Sequence, residues 1–181
     1  MKVSVVIPTF QRPELLARAV RSVEAQTYPD VELIVVHDTT VQYPTDPQAY
    51  WCVKGCNPRN EGLERATGEW VLTLDDDDEL APTAIADLVS ATADADVVYG
   101  RSWIAGGGVL GSAPPRASGF VNGSVLWRAD MGYRFNPQST GTPADWELWS
   151  RMIADGRRWR FVDRIVHRYY PAVVAPVCDP Q

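Results

Sequence analysis

The fold class can be inferred from one stretch of the sequence, Trp70-Val71-Leu72-Thr73-Leu74-Asp75-Asp76-Asp77-Asp78. A short apolar run that is rich in strand-favouring residues ends abruptly in four consecutive aspartates. Apolar runs of this length between polar breakers predict buried strands, most often in a parallel sheet. Ligands bind at the carboxyl ends of the strands in open α/β sheets. We therefore expect the four aspartates at a ligand-binding edge of the sheet.

Four adjacent carboxylates also predict a positively charged ligand. Like charges this close repel one another, so they need a cation or hydrogen-bond donors to remain ionised. Mg²⁺ and Mn²⁺ take oxygen ligands from one or two carboxylates and complete their shells with substrate phosphates. A metal–phosphate site is the favoured hypothesis. The alternative is a solvated acidic turn that caps the next helix, although a cap requires only one aspartate.

The segments before this stretch alternate between strand and helix. Lys2–Ile7 and Val31–Val36 are apolar strand candidates, and between them Pro13 opens a run with helical spacing that reaches Gln26. A β-α-β unit implies a right-handed crossover and parallel strands. The second strand ends at Asp38, which again places an acid at a carboxyl end. These patterns predict an α/β fold with a mostly parallel central sheet flanked by helices.

Length, composition and charge narrow the class of protein. The 181 residues are 45% hydrophobic and 22% charged, with a net charge of -6, which suits a single domain over residues 1–181 and argues against nucleic acid as the main partner. No apolar run approaches the ~20 residues of a spanning helix, and no signal-peptide pattern opens the chain. We expect a cytoplasmic protein without integral membrane association. Cys52, Cys56 and Cys178 predict reduced thiols; Cys52-x-x-x-Cys56 could be half a zinc site, but it lacks a second half.

Five segments follow one another in an order that is typical of one enzyme family. They are Val3-Ser4-Val5-Val6-Ile7-Pro8-Thr9-Phe10, Val35-Val36-His37-Asp38, Asn60-x-Gly62 with Ala66-x-Gly68-Glu69, Leu74-Asp75-Asp76-Asp77-Asp78, and Ala144-Asp145-Trp146-Glu147-Leu148-Trp149-x-Arg151. Together they resemble the inverting glycosyltransferases of family 2, which have the GT-A (Rossmann-like) fold. His37 and Ala144 depart from that family's pattern, since each stands where it usually has an acid.

The resemblance implies a role for individual residues and for the two halves of the chain. It implies that residues 1–100 bind a nucleotide sugar, with a UDP-linked donor favoured, and that residues 101–181 bind the acceptor. The implied cofactor is Mn²⁺ or Mg²⁺ on Asp77, and the implied catalytic base is Asp145. The implied nucleotide-sugar-binding residues are Pro8, Thr9, Phe10, Arg12, Asp38, Asn60, Gly62, Asp75 and Asp76.

Elementary chemistry agrees with these roles. A metal held by Asp77, with Asp75 or Asp76 assisting, would neutralise the charge on a leaving nucleoside diphosphate. Inversion requires one carboxylate to take the proton of the acceptor hydroxyl, and Asp145 is the candidate. The alternative reading makes Asp145 a helix cap only.

A late cluster of basic residues has two interpretations. It is either a solvated face or a source of contacts to a diphosphate or an anionic acceptor, and His167 could complete the metal shell. The cluster comprises Arg151, Arg157, Arg158, Arg160, Arg164, His167 and Arg168.

Other functions remain open at this point. A sugar-phosphate nucleotidyltransferase is disfavoured, because the turn Pro8–Arg12 lacks the glycine-rich phosphate loop of those enzymes. A non-catalytic nucleotide-sugar-binding protein is a further alternative. The acceptor could be a carbohydrate, a lipid-linked sugar, a protein hydroxyl or a modified nucleobase. Arg157-Arg158-Trp159 lacks the glutamine of the Gln-x-x-Arg-Trp motif of processive synthases, which favours transfer of one sugar at a time.

Overall fold

The structure is a computed structural model that describes residues 1–39 and 53–171. Within these ranges no helix is long and apolar enough to cross a membrane. The α-helices are α1 (Pro13–Glu24), α2 (Cys56–Arg65), α3 (Ala84–Val89) and α4 (Ala144–Ala154). The strands are β1 (Val3–Thr9), β2 (Val31–His37), β3 (Trp70–Thr73), β4 (Glu79–Leu80), β5 (Val97–Ile104), β6 (Val109–Leu110), β7 (Val125–Arg128) and β8 (Trp159–Tyr169).

The strands form one mixed sheet in the order β2-β1-β3-β7-β5-β8-β4, and β6 pairs with β5. Strand β1 runs parallel to β2 and β3, and β5 runs parallel to β8. The other pairs, including both pairs that β7 makes, are antiparallel. The predicted α/β fold with flanking helices is confirmed; the sheet is mixed, with its longest pairings, β1 with β2 and β5 with β8, parallel and the shorter pairings of β7 antiparallel. No α-helix separates β5 from β7 in this described stretch, and a parallel connection normally requires such a crossover.

The two faces of the sheet are covered by different helices. Val3, Val5 and Ile7 of β1 pack in one core cluster, together with apolar residues of α1 and α3. Val6 points to the opposite face and packs in a second cluster, with residues of α2 and α4. Successive side chains of a strand alternate between faces, so one continuous apolar run supplies both cores. This explains why β1 is buried along its whole length.

The register of the first three strands brings their carboxyl ends together. Val6 of β1 lies opposite Thr73 of β3, and the Leu74 amide donates to the Val6 carbonyl at 2.9 Å. On the other side of β1, the Asp38 amide donates to the Thr9 carbonyl at 2.7 Å. The loops that follow β1, β2 and β3 therefore start next to one another, which places Asp38 and Asp75–Asp78 at one edge of the sheet together with Arg12.

Candidate active site

A cleft of about 490 Å³ lies at this edge. Its size is within the usual range for small-molecule sites. The sequence-predicted site residues that line it are Pro8, Thr9, Phe10, Arg12, Asp38, Asp75, Asp76, Asp77 and Asp145. Strands from both halves of the chain build the sheet, and α4 brings Asp145 to the lining of the cleft.

Two predicted ligand contacts, Asn60 and Gly62, are not among the residues that line the cleft. The side-chain amide of Asn60 makes two hydrogen bonds to the Phe135 backbone. Its Nδ2 donates to the Phe135 carbonyl at 2.8 Å, and its Oδ1 accepts from the Phe135 N–H at 2.8 Å. Asn60 thereby connects α2 to the segment before α4. A Cβ on Gly62 would lie 2.2 Å from Val6 Cγ1, so the glycine permits α2 to pack closely on β1. The structure gives both residues architectural contacts.

Each of the four carboxylates of the acidic turn, residues Asp75–Asp78, has hydrogen-bond donors close to it. The Asp75 carboxylate accepts from Arg59 Nη2 at 2.5 Å. Asp76 is 1% exposed and accepts from Thr9 Oγ1 at 2.7 Å and from Arg12 Nε at 3.2 Å. Each acid is therefore stabilised by a donor from a different element.

The other two acids of the turn differ in exposure. Asp77 Oδ2 accepts from Arg12 Nη1 at 2.8 Å and is partly exposed in the cleft. Asp78 is buried, where its oxygens lie 3.1 Å from His167 Nε2 and 2.8 Å from the Tyr170 amide that donates to it. A turn this acidic is thus compatible with folding because each carboxylate has its own partners.

The turn can hold a divalent cation. Carboxylate oxygens of Asp75, Asp77 and Asp78 all lie within 4.8 Å of one another. An all-oxygen donor set suits Mg²⁺ or Mn²⁺. This group includes Asp77, the predicted ligand, and Asp75, one of its predicted assistants. Asp76, the other predicted assistant, lies outside the group because Thr9 and Arg12 hold its carboxylate.

His167, considered above as a metal ligand, has protein contacts at both ring nitrogens. Its Nδ1 lies 3.0 Å from Ser102 Oγ, and its Nε2 lies 3.1 Å from Asp78 Oδ2. The ring is fully buried, and a Cβ on Gly123 would lie 2.2 Å from it. In this structure His167 contacts Asp78, one of the three acids that can hold a cation.

The surroundings shift the pKa values of these aspartates in different directions. Burial would raise the pKa of Asp75, but the ion pair with Arg59 outweighs burial and lowers it. Burial raises the pKa of Asp76 despite its bonds to Thr9 and Arg12. Burial also raises the pKa of Asp78 to about 6, although His167 opposes the shift.

Asp145 lies in the first turn of α4 and faces the same cleft. Pro143 occupies the N-cap position; Asp145 is the second residue of the helix, and its Oδ1 accepts from the Trp146 amide of the first turn at 2.9 Å. Burial raises the pKa of Asp145 to about 6, and the negative charge of Asp75 adds to the shift while Arg59 opposes it. A carboxylate with a pKa close to neutral can exchange a proton at physiological pH.

Glu147, the other acid in this helical turn, has a different environment. Arg151 donates to both of its carboxylate oxygens, at 2.8 and 3.0 Å. Glu147 is absent from the described lining of the cleft. The geometry therefore favours Asp145 as the reactive acid.

Several residues of the cleft were not predicted from the sequence. Arg59 is 8% exposed and pairs with Asp75. Asn122 is 6% exposed; its Nδ2 lies 3.4 Å from Asp75, and its buried Oδ1 has no hydrogen-bond partner among the described residues. Further lining comes from Lys54, Trp146, Tyr169 and Tyr170.

The late basic cluster contributes no side chain to the described lining of the cleft. Arg158 pairs with Asp96 at 2.8 Å, and Arg168 lies 3.7 Å from Glu79. These contacts correspond to the solvated-face interpretation. Cys52 and Cys178 lie outside the described residues, so the zinc half-site stays untested.

Comparisons with known proteins agree with the fold and with the order of the motifs. Residues 4–49 and 56–154 match the family described as Glycosyl transferase family 2. A Campylobacter jejuni GalNAc(5)-diNAcBac-PP-undecaprenol beta-1,3-glucosyltransferase is 37% identical over 103 residues, which cover 49% of this chain and 33% of that protein. The chain thus spans about a third of the length of this relative.

Solved structures with low sequence identity share the fold. S. aureus TarS 1-349 in complex with UDP superposes with a TM-score of 0.73 at 19% identity, covering 94% of this chain and 60% of that one. The mannosyltransferase PcManGT from Pyrobaculum calidifontis, in complex with GDP-Man and Mn²⁺, gives a TM-score of 0.67 at 16% identity, covering 93% and 56%. Because the family match extends over most of the sequence, the chain belongs to glycosyl transferase family 2.

Proposed function

We propose that this chain contains the donor-binding and catalytic centre of a metal-dependent, inverting glycosyltransferase. It would move one sugar from a nucleoside-diphosphate sugar, with UDP favoured, to an acceptor hydroxyl. The observation that carries the proposal is the convergence of the acidic turn and Asp145 in one cleft at the carboxyl ends of β1, β2 and β3. The TarS structure contains UDP and the PcManGT structure contains GDP-Man with Mn²⁺, which supports a nucleotide-sugar donor.

The nucleotide would lie against the ends of β1 and β2. Asp38 lines the cleft there and offers a carboxylate that can accept from a nucleobase N–H. Phe10 is 53% exposed and also lines the cleft, so its ring is available to an aromatic base. Pro8 and Thr9 supply the wall between them. These groups suit a base and a ribose better than a second sugar.

The diphosphate would lie at the acidic turn. A divalent cation held by Asp77 with Asp75 and Asp78 would supply charge neutralisation for the leaving diphosphate. Lys54 also lines the cleft, on the α2 side, and adds a positive charge there. Arg59 keeps Asp75 ionised, which preserves a carboxylate in the metal-binding group.

Asp145 would deprotonate the acceptor hydroxyl. A single base on the side of the sugar opposite the leaving group leads to inversion. Its pKa of about 6 leaves it ionised at neutral pH yet still able to accept a proton. Trp146 is 36% exposed beside it and lines the same cleft, which provides an apolar surface on the acceptor side.

Nucleotide binding in the presence and absence of metal tests the proposal. UDP and GDP, each with Mn²⁺ or with EDTA, should raise the melting temperature only when metal is present, and UDP should raise it more. A ligand that binds the native state alone stabilises it in this way. Equal stabilisation in EDTA would contradict metal dependence.

Turnover separates an enzyme from a nucleotide-sugar-binding protein. UDP release from the matching UDP-sugar should be slow with water as the acceptor and should rise when the correct acceptor is added. A panel of carbohydrate, lipid-linked, peptide and nucleobase hydroxyls would identify the acceptor class. Tight donor binding with no release under any acceptor would favour the non-catalytic alternative.

A further inference from the structure

The guanidinium of Arg12 bridges two neighbouring carboxylates of the acidic turn. Its Nη1 donates to Asp77 Oδ2 at 2.8 Å, while Nη2 and Nε both donate to Asp76, the latter at 3.2 Å. Asp76 is 1% exposed, whereas the Asp77 side chain is 22% exposed in the cleft. Part of the guanidinium is therefore held by the buried carboxylate of Asp76, whereas its Nη1 pairs with Asp77 in the cleft.

The Nη1 group of Arg12 pairs with the Asp77 carboxylate, which a divalent cation would also bind. Asp77 belongs to the group of three acids that can hold a metal, and Arg12 pairs directly with it. A guanidinium N–H and a metal ion compete for the same carboxylate electrons, and the two positive charges repel each other. A cation that binds either oxygen of Asp77 therefore weakens this ion pair, because both positive charges draw on one carboxylate.

We propose that Arg12 is an exchangeable counter-ion of the metal site: it pairs with Asp77 while no cation is bound, yields Asp77 to the cation, and then presents the released donors to the anionic part of the nucleotide. This inference rests on the proposed function. The bonds to Asp76 keep the guanidinium beside the cleft after the exchange. Arginine N–H groups suit a phosphate as well as a carboxylate.

The exchange makes metal and nucleotide binding interdependent. Without nucleotide, the metal must compete with Arg12 for Asp77. With nucleotide, the diphosphate offers Arg12 another anionic partner, which lowers the cost of releasing Asp77. Because linkage is reciprocal, UDP should tighten the binding of metal by the same factor as metal tightens the binding of UDP.

A purely structural role for Arg12 would give the opposite result. If Arg12 only held the turn in shape, its removal would loosen the ligand group and weaken metal binding. If Arg12 competes with the metal, its removal tightens metal binding. The sign of the change in metal affinity therefore distinguishes the two roles.

The experiment measures the affinity for Mn²⁺ alone, by the paramagnetic resonance signal of unbound Mn²⁺, in the wild type and in Arg12→Gln. We expect the variant to bind Mn²⁺ about tenfold more tightly, since it loses a partly exposed ion pair and a nearby positive charge. Arg12→Lys keeps the charge but cannot bridge both acids, so it should lie between the two. In the presence of UDP, the advantage of Arg12→Gln should shrink.

Arg18→Gln is the matched control. Arg18 is 30% exposed against 32% for Arg12, and it contacts the same turn through the Asp77 carbonyl and Glu79, without binding a carboxylate of the metal group. Removing its charge should change Mn²⁺ affinity by less than about threefold. If Arg12→Gln and Arg18→Gln changed Mn²⁺ affinity equally, the loss of a nearby positive charge would explain both results, and the proposed exchange at Asp77 would be wrong.

A second variant protects the test against misfolding. Loss of Arg12 leaves the buried Asp76 carboxylate without its ion-pair partner, which could destabilise the fold. The double variant Arg12→Gln/Asp76→Asn removes the charge of Asp76 as well. Unchanged or weaker Mn²⁺ binding in folded variants would overturn the inference, as would failure of every variant and the wild type to bind Mn²⁺. The titration contains no sugar donor, so a failure of sugar transfer alone would contradict the proposed function and leave this result intact.

Discussion

The acidic turn and the first turn of α4 face the same cleft, but they surround their carboxylates differently. In the turn, Asp75 pairs with Arg59, Asp77 pairs with Arg12, and the buried Asp78 contacts His167. Asp145 forms a hydrogen bond with a backbone amide, and the first causes of its pKa shift are burial and the negative charge of Asp75. Arg59 keeps Asp75 ionised by lowering its pKa, whereas burial raises the pKa of Asp145 and so lets this acid accept a proton.

This contrast matches two different requirements, one for carboxylates that bind a cation and one for a general base. Carboxylates that bind a cation must be ionised before it arrives, and a basic partner such as Arg59 achieves this by lowering the pKa of Asp75. A general base must instead change its protonation state during the reaction, which a pKa near neutrality favours. The predictions below test the two regions separately.

The largest effect is expected from a change in the acidic turn. Asp77→Ala removes the proposed metal ligand and should abolish Mn²⁺-assisted UDP binding. Several kcal/mol of transition-state stabilisation would be lost, so sugar transfer should fall by roughly 10³–10⁵-fold. The measurement pairs calorimetry of UDP in Mn²⁺ with the transfer rate. Asp163→Ala, which changes an exposed aspartate of β8 that does not line the cleft, is the control and should behave as the wild type.

The second-largest effect is expected from a change in the first turn of α4. Asp145→Asn keeps the shape of the side chain and its ability to cap, but the amide cannot accept a proton. General base catalysis contributes ~10²–10⁴-fold, so the transfer rate should fall by that factor while donor affinity barely changes. If Asp145 is only a cap, the asparagine variant should transfer sugar at nearly the wild-type rate.

The positions of these acids could largely be predicted from the sequence, because they depend on where strands end. Apolar runs place Asp38 and Asp75 at carboxyl ends, and the parallel pairing of β1, β2 and β3 then brings these ends together. The orientation of β7 could not be predicted in the same way. A local apolar pattern gives the period of a strand but not its partner or direction.

The partners of the acids were harder to predict than the acids themselves. Four identical residues in a row give no local signal for which carboxylate faces the cleft and which, like Asp76, turns inward. Arg59 had a weak signal, because it lies three residues before Gly62 and so on the same face of a helix that packs on the sheet. Asn122 had none, since a short irregular segment positions it through tertiary contacts.

The third effect is the dependence of the rate on pH. Asp145 must be ionised to act as a base, and its pKa is about 6. The value of kcat/KM should therefore be constant above this pH and fall about tenfold per unit below it. The measurement needs saturating metal at each pH, because Asp78 also titrates near 6 and could otherwise change metal binding. An acid limb near the usual pKa of an exposed aspartate would remove the distinction between the two regions.

The smallest effect is on stability, and we expect the substitution of Asp145, a partly buried acid, to be stabilising. Because the pKa of Asp145 is raised in the folded state, from 3.8 to about 6, the folded chain binds more protons than the unfolded chain between these values. Stability should therefore fall as pH rises through this window, and above it the ionised carboxylate imposes a constant cost.

Asp145→Asn removes that cost. At about pH 7.5 the variant should be more stable than the wild type by on the order of 1 kcal/mol, and the difference should shrink towards zero near pH 4. Thermal unfolding at several pH values measures this difference, and the low-pH arm is the internal control because the wild-type acid is then neutral as well. A variant less stable at every pH would show that Asp145 supports the fold. A more stable but inactive variant would show that the site retains a destabilising charge because the reaction requires it.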